Sequence, residues 1–320
     1  MSRGAGAGEA TAFAPATVAN VAVGFDILGY AVESVGDTAT VTVTDDPTVT
    51  VSGITDAAGA SLEGEIPIDP ERNTATVGLI RLRADLGLRH GFRVALRKGI
   101  ALGSGMGGSA ASAVAALVAA NSLLERPLPE ETLIGYALLG ERVASGTAHP
   151  DNATPCLFGG LTLVTSVSPY HYVRLPVPPE ILTVLVHPHT RLDTRRARRV
   201  LRPDVPLADC VRQSAALAGF VAGCYANDTK LLGECLRDEL IEPQRAALIP
   251  GFAEVKAAAM AAGALGASIS GAGPAVFAWV TSADAAECVR AAMVGAFAEY
   301  GGAECDSWVS PVCPRGARIV

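Results

Sequence analysis

Charge is scarce in this sequence, and positive charge is the scarcer kind. Only 18% of the 320 residues are charged, and the formal net charge is −7 at pH 7. Because 50% of the residues are hydrophobic, the composition excludes a disordered or fibrous protein and allows a sizeable buried core. The negative net charge argues against binding to nucleic acid or anionic membranes. The basic run at residues 195–199 is an exception, but such runs are more often solvated helix faces or anion sites.

Cysteine pairs with metal-ligand spacing are missing as well. The seven cysteines are scattered, no C-x-x-C pair occurs, and only five histidines accompany them. We therefore expect no structural zinc, and the pattern suits reduced thiols in the cytoplasm. Residues 1–10 lack an apolar signal core, and the uncharged stretches 100–124 and 257–283 are interrupted by glycine and serine clusters. We therefore expect neither a secretion signal nor a membrane span.

Strands and helices alternate without strict β-α-β regularity, which favours an α+β sandwich. The β-branched runs Thr38–Thr44 and Thr48–Val51, separated by Asp45–Pro47, predict a hairpin. The length favours two domains around a cleft, and the polar stretch 166–180 is the best candidate for their junction. We expect domains at residues 1–170 and 171–320. Helices are predicted near residues 73–86, 109–124, 129–144 and 283–300, and strands near 92–96, 161–164, 182–186, 267–270, 276–280 and 308.

A glycine-rich turn, G-S-G-M-G-G-S at residues 103–109, lies between a predicted strand and a predicted helix. Glycines let backbone N–H groups close around an anion there, and the helix N-terminus adds unsatisfied donors. Gly103, Gly105 and Gly108 also satisfy the dinucleotide pattern G-x-G-x-x-G, but the second strand and its acid are missing. No lysine follows the glycines as in a P-loop. Taken alone, the motif also fits a plain strand–helix turn.

Three further segments accompany this turn in a definite order. Residues 101–112 are similar to the P-x-G-x-G-L-G-S-S-A loop of the galactokinase–homoserine kinase–mevalonate kinase (GHMP) superfamily, and residues 266–274 resemble its third motif. Residues 15–26, with P-A-T-V-A-N and G-F-D, resemble the first motif of homoserine kinases. The segment H-P-D-N at residues 149–152 is typical of the same family. The chain thus resembles the homoserine kinases from about residue 11 to its last strand.

The resemblance implies a two-domain α+β fold and ATP-dependent phosphorylation of L-homoserine with Mg²⁺. An N-terminal α/β domain would carry the glycine-rich loop, a C-terminal ferredoxin-like α/β sandwich would follow, and the site would lie between them. Family members are often homodimers. By similarity, Ser109 and Glu141 hold Mg²⁺, and Asn73 and Lys98 line the adenine pocket. The resemblance assigns the ATP phosphates to Gly103, Ser104, Gly105, Met106, Gly107, Gly108 and Ser109.

The acceptor site is inferred from the two ends of an amino acid. A carboxylate suits the bidentate fork of arginine, and an ammonium suits aspartate. Arg198 lies in a T-x-x-A-R element and Arg245 in an E-P-x-R element, so both are predicted to bind the carboxylate. No side chain is expected to be an obligatory general base. The other family-matched residues are Asn20, Asp26 and Asp151 for the hydroxyl and ammonium, and His149, Asn152 and Thr194 near the reaction centre.

The chain departs from the family pattern at three positions, and three other functions compete with the one that the resemblance implies. Ala101 replaces the usual proline, Gly108 the first of two serines, and Ala275 a threonine or serine; we interpret them as tuning rather than inactivation. The alternatives are a GHMP kinase for an isoprenoid precursor, sugar or shikimate, a dehydrogenase, and a non-catalytic relative. Another GHMP kinase would not need both arginines in these elements and would not contain the H-P-D-N segment. The last is disfavoured by retention of Ser109 and Glu141.

Overall fold

Eleven strands form two sheets within residues 8–320, the part of the chain that the computed structural model describes. Residues 1–7, which carry part of the expectation about the N-terminus, lie outside it. The strands are β1 (Glu9–Ala19), β2 (Leu28–Thr44), β3 (Val49–Asp56), β4 (Gly91–Lys98), β5 (Leu161–Val167), β6 (Tyr170–Leu175), β7 (Leu182–Pro188), β8 (Gly266–Ile269), β9 (Val276–Val280), β10 (Cys305–Pro311) and β11 (Arg318–Ile319). The helices are α1 (Thr74–Asp85), α2 (Gly108–Ser122), α3 (Glu130–Ser145), α4 (Pro150–Phe158), α5 (Thr194–Arg199), α6 (Leu207–Ala226), α7 (Thr229–Cys235), α8 (Glu242–Arg245), α9 (Phe252–Ala261) and α10 (Ala283–Ala296), with a 3-10 turn at Ala246–Leu248 and a π turn at Phe297–Gly301.

The first sheet has seven strands, with a main path in the order β11-β1-β2-β4-β3 and β5 and β6 attached beside β2. α2 contacts β1 and β2 and is buried along most of its length. A helix that is apolar on all sides belongs in a core, and the alanines of α2 let it lie close to the strands. Its N-terminus, which follows the glycine-rich turn directly, is thereby held at one end of the sheet.

The predicted hairpin between the two β-branched runs is wrong. β4 lies between β2 and β3, antiparallel to the first and parallel to the second. Phe92, Val94 and Leu96 of β4 are buried, so this strand gains more by lying inside the sheet than at its edge. Turn residues between two runs cannot reveal that a strand from later in the chain inserts between them.

The second sheet is antiparallel, in the order β10-β7-β9-β8, and α9 and α10 contact its strands. Tyr30 of β2 joins the two halves of the chain: its hydroxyl lies 2.6 Å from the Thr183 hydroxyl, and its ring contacts Phe277 and Trp279. The predicted α+β class is confirmed, as are the predicted helices and strands within a few residues at their ends. β1, the first half of β2, α4, β6 and β11 were not predicted.

The stretch proposed as a domain junction, residues 166–180, contains the strand β6, which pairs with β5 in the first sheet. The chain also returns to that sheet at its end, because β11 pairs with β1. Of the described helices, none combines the length and apolar character that a membrane crossing requires.

Candidate active site

A cleft of about 320 Å³ contains residues from both halves of the chain. Two predicted ATP residues do not line it: Asn73 is buried as the N-cap of α1, where its side chain accepts from Ala75 N–H, and Met106 is buried. Every other predicted site residue does: Asn20, Asp26, Lys98, Gly103, Ser104, Gly105, Gly107, Gly108, Ser109, Glu141, His149, Asp151, Asn152, Thr194, Arg198 and Arg245.

The glycine-rich turn has the backbone conformation that its composition predicts. Gly103, Gly105 and Gly107 have φ of 65°, 80° and 71°, a region that favours glycine. A Cβ on Gly105 would lie 2.6 Å from the Ser270 carbonyl oxygen. Gly107 immediately precedes α2, whose first turn has no side-chain cap. The N–H groups of this turn are therefore available to an anion.

Other segments hold the carbonyl oxygens of the same turn. The carbonyls of residues 103–106 accept hydrogen bonds, in order, from Leu192 N–H (3.0 Å), Ala275 N–H (3.0 Å), the Ser270 hydroxyl (2.9 Å) and Thr17 N–H (3.1 Å). β1, the loop before α5 and the glycine-rich segment after β8 thus fix the turn from three directions. With its acceptors occupied, the turn is left with donors for a ligand, which is the requirement of a phosphate cradle.

Ser109 and Glu141 meet beside this turn. The Ser109 hydroxyl donates to Oε1 of Glu141 over 2.6 Å, and Glu141 is buried. A hydroxyl and a carboxylate are hard oxygen ligands that suit Mg²⁺, which keeps several waters and binds phosphate oxygens. Among the described residues, no group of three or more histidine, cysteine and acidic side chains could hold a metal. The pair offers two oxygen ligands to a Mg²⁺ that also binds phosphate oxygens.

His149 connects this pair to the other end of the cleft. Its Nδ1 lies 3.3 Å from Oε2 of Glu141, and its Nε2 lies 3.1 Å from Nη2 of Arg198. Burial of His149 favours the neutral ring, but the hydrogen bond and charge of Glu141 outweigh it, so its pKa is raised above the ordinary value. The imidazole thus contacts both Glu141, a predicted metal ligand, and Arg198, a predicted carboxylate anchor.

Two guanidinium groups lie at the acceptor end, both close to the ring of Phe25. Arg198 donates to both carboxylate oxygens of Asp26, over 2.7 and 2.9 Å. Arg245 is buried and donates to the carbonyls of Ala197 (3.1 Å) and Gly271 (3.0 Å). Each guanidinium carbon lies 5.2 Å from the centroid of the Phe25 ring. Burial, followed by the charge of Arg198, lowers the pKa of Arg245 to about 10. The guanidinium therefore stays charged at neutral pH.

The loop between β1 and β2 positions Asp26. Asn20, Val21, Ala22 and Asp26 have positive φ values of 69°, 45°, 57° and 63°, which is a strained conformation for a β-branched residue such as valine. The Asn20 amide ties this loop to the segment after β8. It accepts from Asp26 N–H over 3.0 Å and donates to the Gly271 carbonyl over 2.8 Å. Strain of this kind persists where the surroundings impose it, as at binding sites.

Asp151 is the one buried carboxylate in the cleft with an unused oxygen. Within residues 8–320 its Oδ1 has no hydrogen-bond partner, and its side chain is almost fully buried. Burial, followed by the charge of Asp26, raises its pKa from 3.8 to about 7. A cationic ligand group would relieve both effects.

This shift gives a testable pH dependence. Between about pH 4 and pH 7 the folded chain holds a proton on Asp151 that the unfolded chain has released, so the free energy of unfolding falls as the pH rises. Asp151→Asn cannot ionise, and its melting temperature should gain a few degrees on wild type from pH 5 to pH 8 without substrate. Scanning calorimetry measures the difference. The exposed Asp204→Asn is the control, and a difference independent of pH would contradict the raised pKa.

Sequence reasoning missed three residues around the cleft. The Thr17 hydroxyl donates to Oδ1 of Asn152 over 2.7 Å, and Phe25 supports both arginines. Asp37, fully buried in β2, pairs with Lys98 beneath the glycine-rich turn. An acid beside an apolar strand run could have signalled Asp37, whereas the partner of Thr17 has no local signal. Thr194, which follows the N-cap Asp193 of α5, lines the cleft.

Known proteins resemble the chain along nearly all of its length. Residues 73–160 match the GHMP kinases N terminal domain and residues 220–299 the GHMP kinases C terminal domain. A homoserine kinase of Xylella fastidiosa (strain 9a5c) is 51% identical over 312 residues, which cover 98% of this chain and 94% of that protein. One from Chlorobium phaeovibrioides is 44% identical over 319 residues, covering 96% and 98% of the two chains.

Solved structures also resemble the chain along nearly all of its length. The crystal structure of homoserine kinase from Cytophaga hutchinsonii has a TM-score of 0.93 and 40% identity, with 100% of both chains covered. L. major mevalonate kinase has a TM-score of 0.69 at 16% identity, covering 95% of this chain and 96% of that one; this second likeness concerns the fold alone. The resemblance to the family predicted from four sequence motifs is confirmed. The chain belongs to the GHMP kinases and, among them, to the homoserine kinase family.

Proposed function

We propose that this chain transfers the γ-phosphoryl group of ATP to the side-chain hydroxyl of L-homoserine, giving O-phospho-L-homoserine and ADP. The observation that carries the proposal is the unpartnered carboxylate oxygen of Asp151, which shares one cleft with two guanidinium groups and the glycine-rich turn. An α-amino acid supplies an ammonium and a carboxylate for these groups. The curated relatives that carry the name homoserine kinase support the same substrate.

The ATP phosphates would lie against the turn at residues 103–108 and the N-terminus of α2. Their oxygens accept from backbone N–H groups that the fold has already oriented, so little reorganisation accompanies the reaction. Ser109 and Glu141 would hold Mg²⁺. When bound, Mg²⁺ neutralises charge on the phosphates during transfer. Glu141 itself is held in place by Ser109 and His149.

The amino acid would lie between this turn and α5. Arg245 and Arg198 attract its carboxylate, and Asp151 accepts from its ammonium. Because both oxygens of Asp26 accept from Arg198, we infer that homoserine shares the Arg198 guanidinium with Asp26. Asn152, held by Thr17, and Thr194 would then lie near the hydroxyl that accepts the phosphoryl group.

Positioning, rather than a dedicated base, would account for the rate. Phosphoryl transfer needs the two oxygens in line with the phosphorus and its charge stabilised, with little covalent participation of the protein. The oxygens of Asp26 are occupied by Arg198, and Asp151 faces the ammonium. We infer that neither carboxylate is an obligatory proton acceptor.

A coupled assay of ADP release tests the activity. With ATP and Mg²⁺ we expect turnover on homoserine and none comparable on mevalonate, galactose or shikimate. Asp26→Asn should retain a measurable kcat, since it removes the charge of the side chain and leaves the homoserine hydroxyl near the γ-phosphoryl group of ATP. Turnover on another alcohol would contradict the substrate, and loss of all turnover in Asp26→Asn with both substrates still bound would contradict a mechanism without a base.

The subunit number and the location of the protein are also inferred. We infer a homodimer, because family members are often dimers. We infer a cytoplasmic location, because the scattered cysteines suit a reducing compartment. Sedimentation of the purified chain at several concentrations measures the subunit number, and fractionation of the source cells measures the location.

A further inference from the structure

A buried ion pair lies beneath the glycine-rich turn, outside the chemistry described above. The ammonium of Lys98, the last residue of β4, contacts the carboxylate of Asp37 in β2. Both side chains are almost completely shielded, with 4% and 0% of their surfaces exposed. Taking two charges out of water is costly unless hydrogen bonds satisfy both, so the surrounding contacts show what the pair does.

The Asp37 carboxylate holds the beginning of the turn. Its Oδ1 accepts from the N–H groups of Gly99 and Ile100, over 3.0 and 3.1 Å. Its Oδ2 accepts from Lys98 and lies 2.9 Å from the Ser112 hydroxyl, which can donate to it. Four partners satisfy the buried carboxylate, and two of them are the backbone at which the chain leaves β4.

The Lys98 ammonium holds the end of the turn. It donates to the carbonyl oxygen of Gly108, the first residue of α2, over 2.7 Å, and to the Ser112 hydroxyl over 2.8 Å. With Asp37 as the third acceptor, all three N–H donors of the ammonium are used. A direct contact with an adenine ring, the role that the family resemblance assigns to Lys98, would require it to give up one of these partners.

Gly108 fits this arrangement. A Cβ at this position would lie 3.2 Å from Cγ2 of Ile100 and 3.4 Å from Nζ of Lys98. A side chain here would press on Ile100 and would lie in van der Waals contact with the Lys98 ammonium. The glycine that stands in place of the usual serine leaves this space open.

We propose that Asp37 and Lys98, with Ser112, are positioning residues that clamp the two ends of the glycine-rich turn at the separation that the phosphates of ATP require. The inference rests on the proposed function, because it assumes that the turn binds phosphates. Although Lys98 lines the cleft, its ammonium donors are taken by Asp37, Gly108 and Ser112. The pair therefore acts on ATP through the backbone of residues 99, 100 and 108. Loss of either partner leaves an unpaired buried charge and frees one end of the turn.

Calorimetric titration of Asp37→Asn, Lys98→Met and Ser112→Ala with Mg-ATP and with Mg-tripolyphosphate tests the clamp. Because an unsatisfied buried partner weakens a site by about tenfold or more, the first two variants should raise the Kd of both ligands by that factor, and Ser112→Ala by less. The KM for homoserine should change less than twofold. In the double variant Asp37→Asn/Lys98→Met, the combined loss should be smaller than the product of the single losses, as expected for a coupled pair.

Val289→Ala, a buried substitution in α10 of the second sheet, controls for a general loss of stability and should leave both Kd values unchanged. If Asp37→Asn does not fold, Ser112→Ala and Lys98→Met decide the question. A loss confined to ATP and to Lys98→Met would establish a base contact and overturn the clamp, as would unchanged Kd values in all variants. Failure of wild type to bind tripolyphosphate would overturn both the clamp and the phosphate site, whereas ATP binding without phosphorylation of homoserine would overturn the proposed function alone.

Discussion

Gly107→Ala should lower kcat/KM by about 100-fold or more, because misplacement of a reacting group by about 1 Å costs a factor of this size. A Cβ on Gly107 would lie 2.1 Å from Oγ1 of Thr17 and 2.8 Å from Oδ1 of Asn152. These two side chains are hydrogen-bonded to each other, so neither can move without releasing the other. The positive φ of 71° adds backbone strain to the collision. Steady-state kinetics with homoserine and ATP measures the loss.

Gly135→Ala is the matched control. Gly135 lies within α3, a Cβ there would meet nothing within 4 Å, and its φ is not in the left-handed region. Its activity should equal that of wild type, and its stability should rise by about 0.5–1 kcal/mol because alanine favours a helix. Wild-type kinetics in Gly107→Ala would show that the turn tolerates displacement and that Asn152 is not needed where the structure places it.

Arg245→Ala should raise the KM for homoserine by about 100-fold, equivalent to about 2.8 kcal/mol, with a smaller effect on the KM for ATP. The guanidinium is buried, stays charged, and is held by two backbone carbonyls and the face of Phe25. Its removal deletes the proposed partner of the substrate carboxylate and leaves that carboxylate without its charged donor. Initial rates at varied concentrations of each substrate separate the two KM values.

Two further variants separate charge from geometry at this position. Arg245→Lys keeps the charge but cannot reproduce two carbonyl contacts and a planar stack, so it should recover only a small part of the affinity. Arg199→Ala removes an exposed arginine from α5 and should change neither KM by more than twofold. An equal increase of both KM values in Arg245→Ala, with a lowered melting temperature, would indicate a structural role instead of a carboxylate anchor.

The structure also accounts for a departure from the family pattern in the third motif. Ala275 lacks the usual hydroxyl, but its backbone N–H donates to the carbonyl of Ser104 over 3.0 Å. The side chain of Ala275 is fully buried, so the contact with the glycine-rich turn depends on the main chain alone. This agrees with the interpretation of the departure as tuning.

Sequence patterns predicted what depends on neighbours along the chain. The turn at residues 103–109 was recognisable because only glycine adopts its positive φ values freely. Most strands and four of the helices followed from their apolar spacing. The order of four motifs predicted the family. The same reasoning failed at the hairpin of β2 and β3, since an apolar run shows that a strand forms but not which strand lies beside it.

By itself, then, the sequence determined most of the strands, several helices, the glycine-rich turn and the candidate residues of the cleft. The tertiary structure decided which of them meet. Arg198 binds Asp26 across 172 positions of the chain, and Lys98 binds Asp37 across 61. Such pairs form because a buried charge must find a partner wherever the fold brings one near, and no local spacing records that distance. The tertiary structure therefore gives Lys98, a family-matched residue in the sequence, a buried acid as its partner.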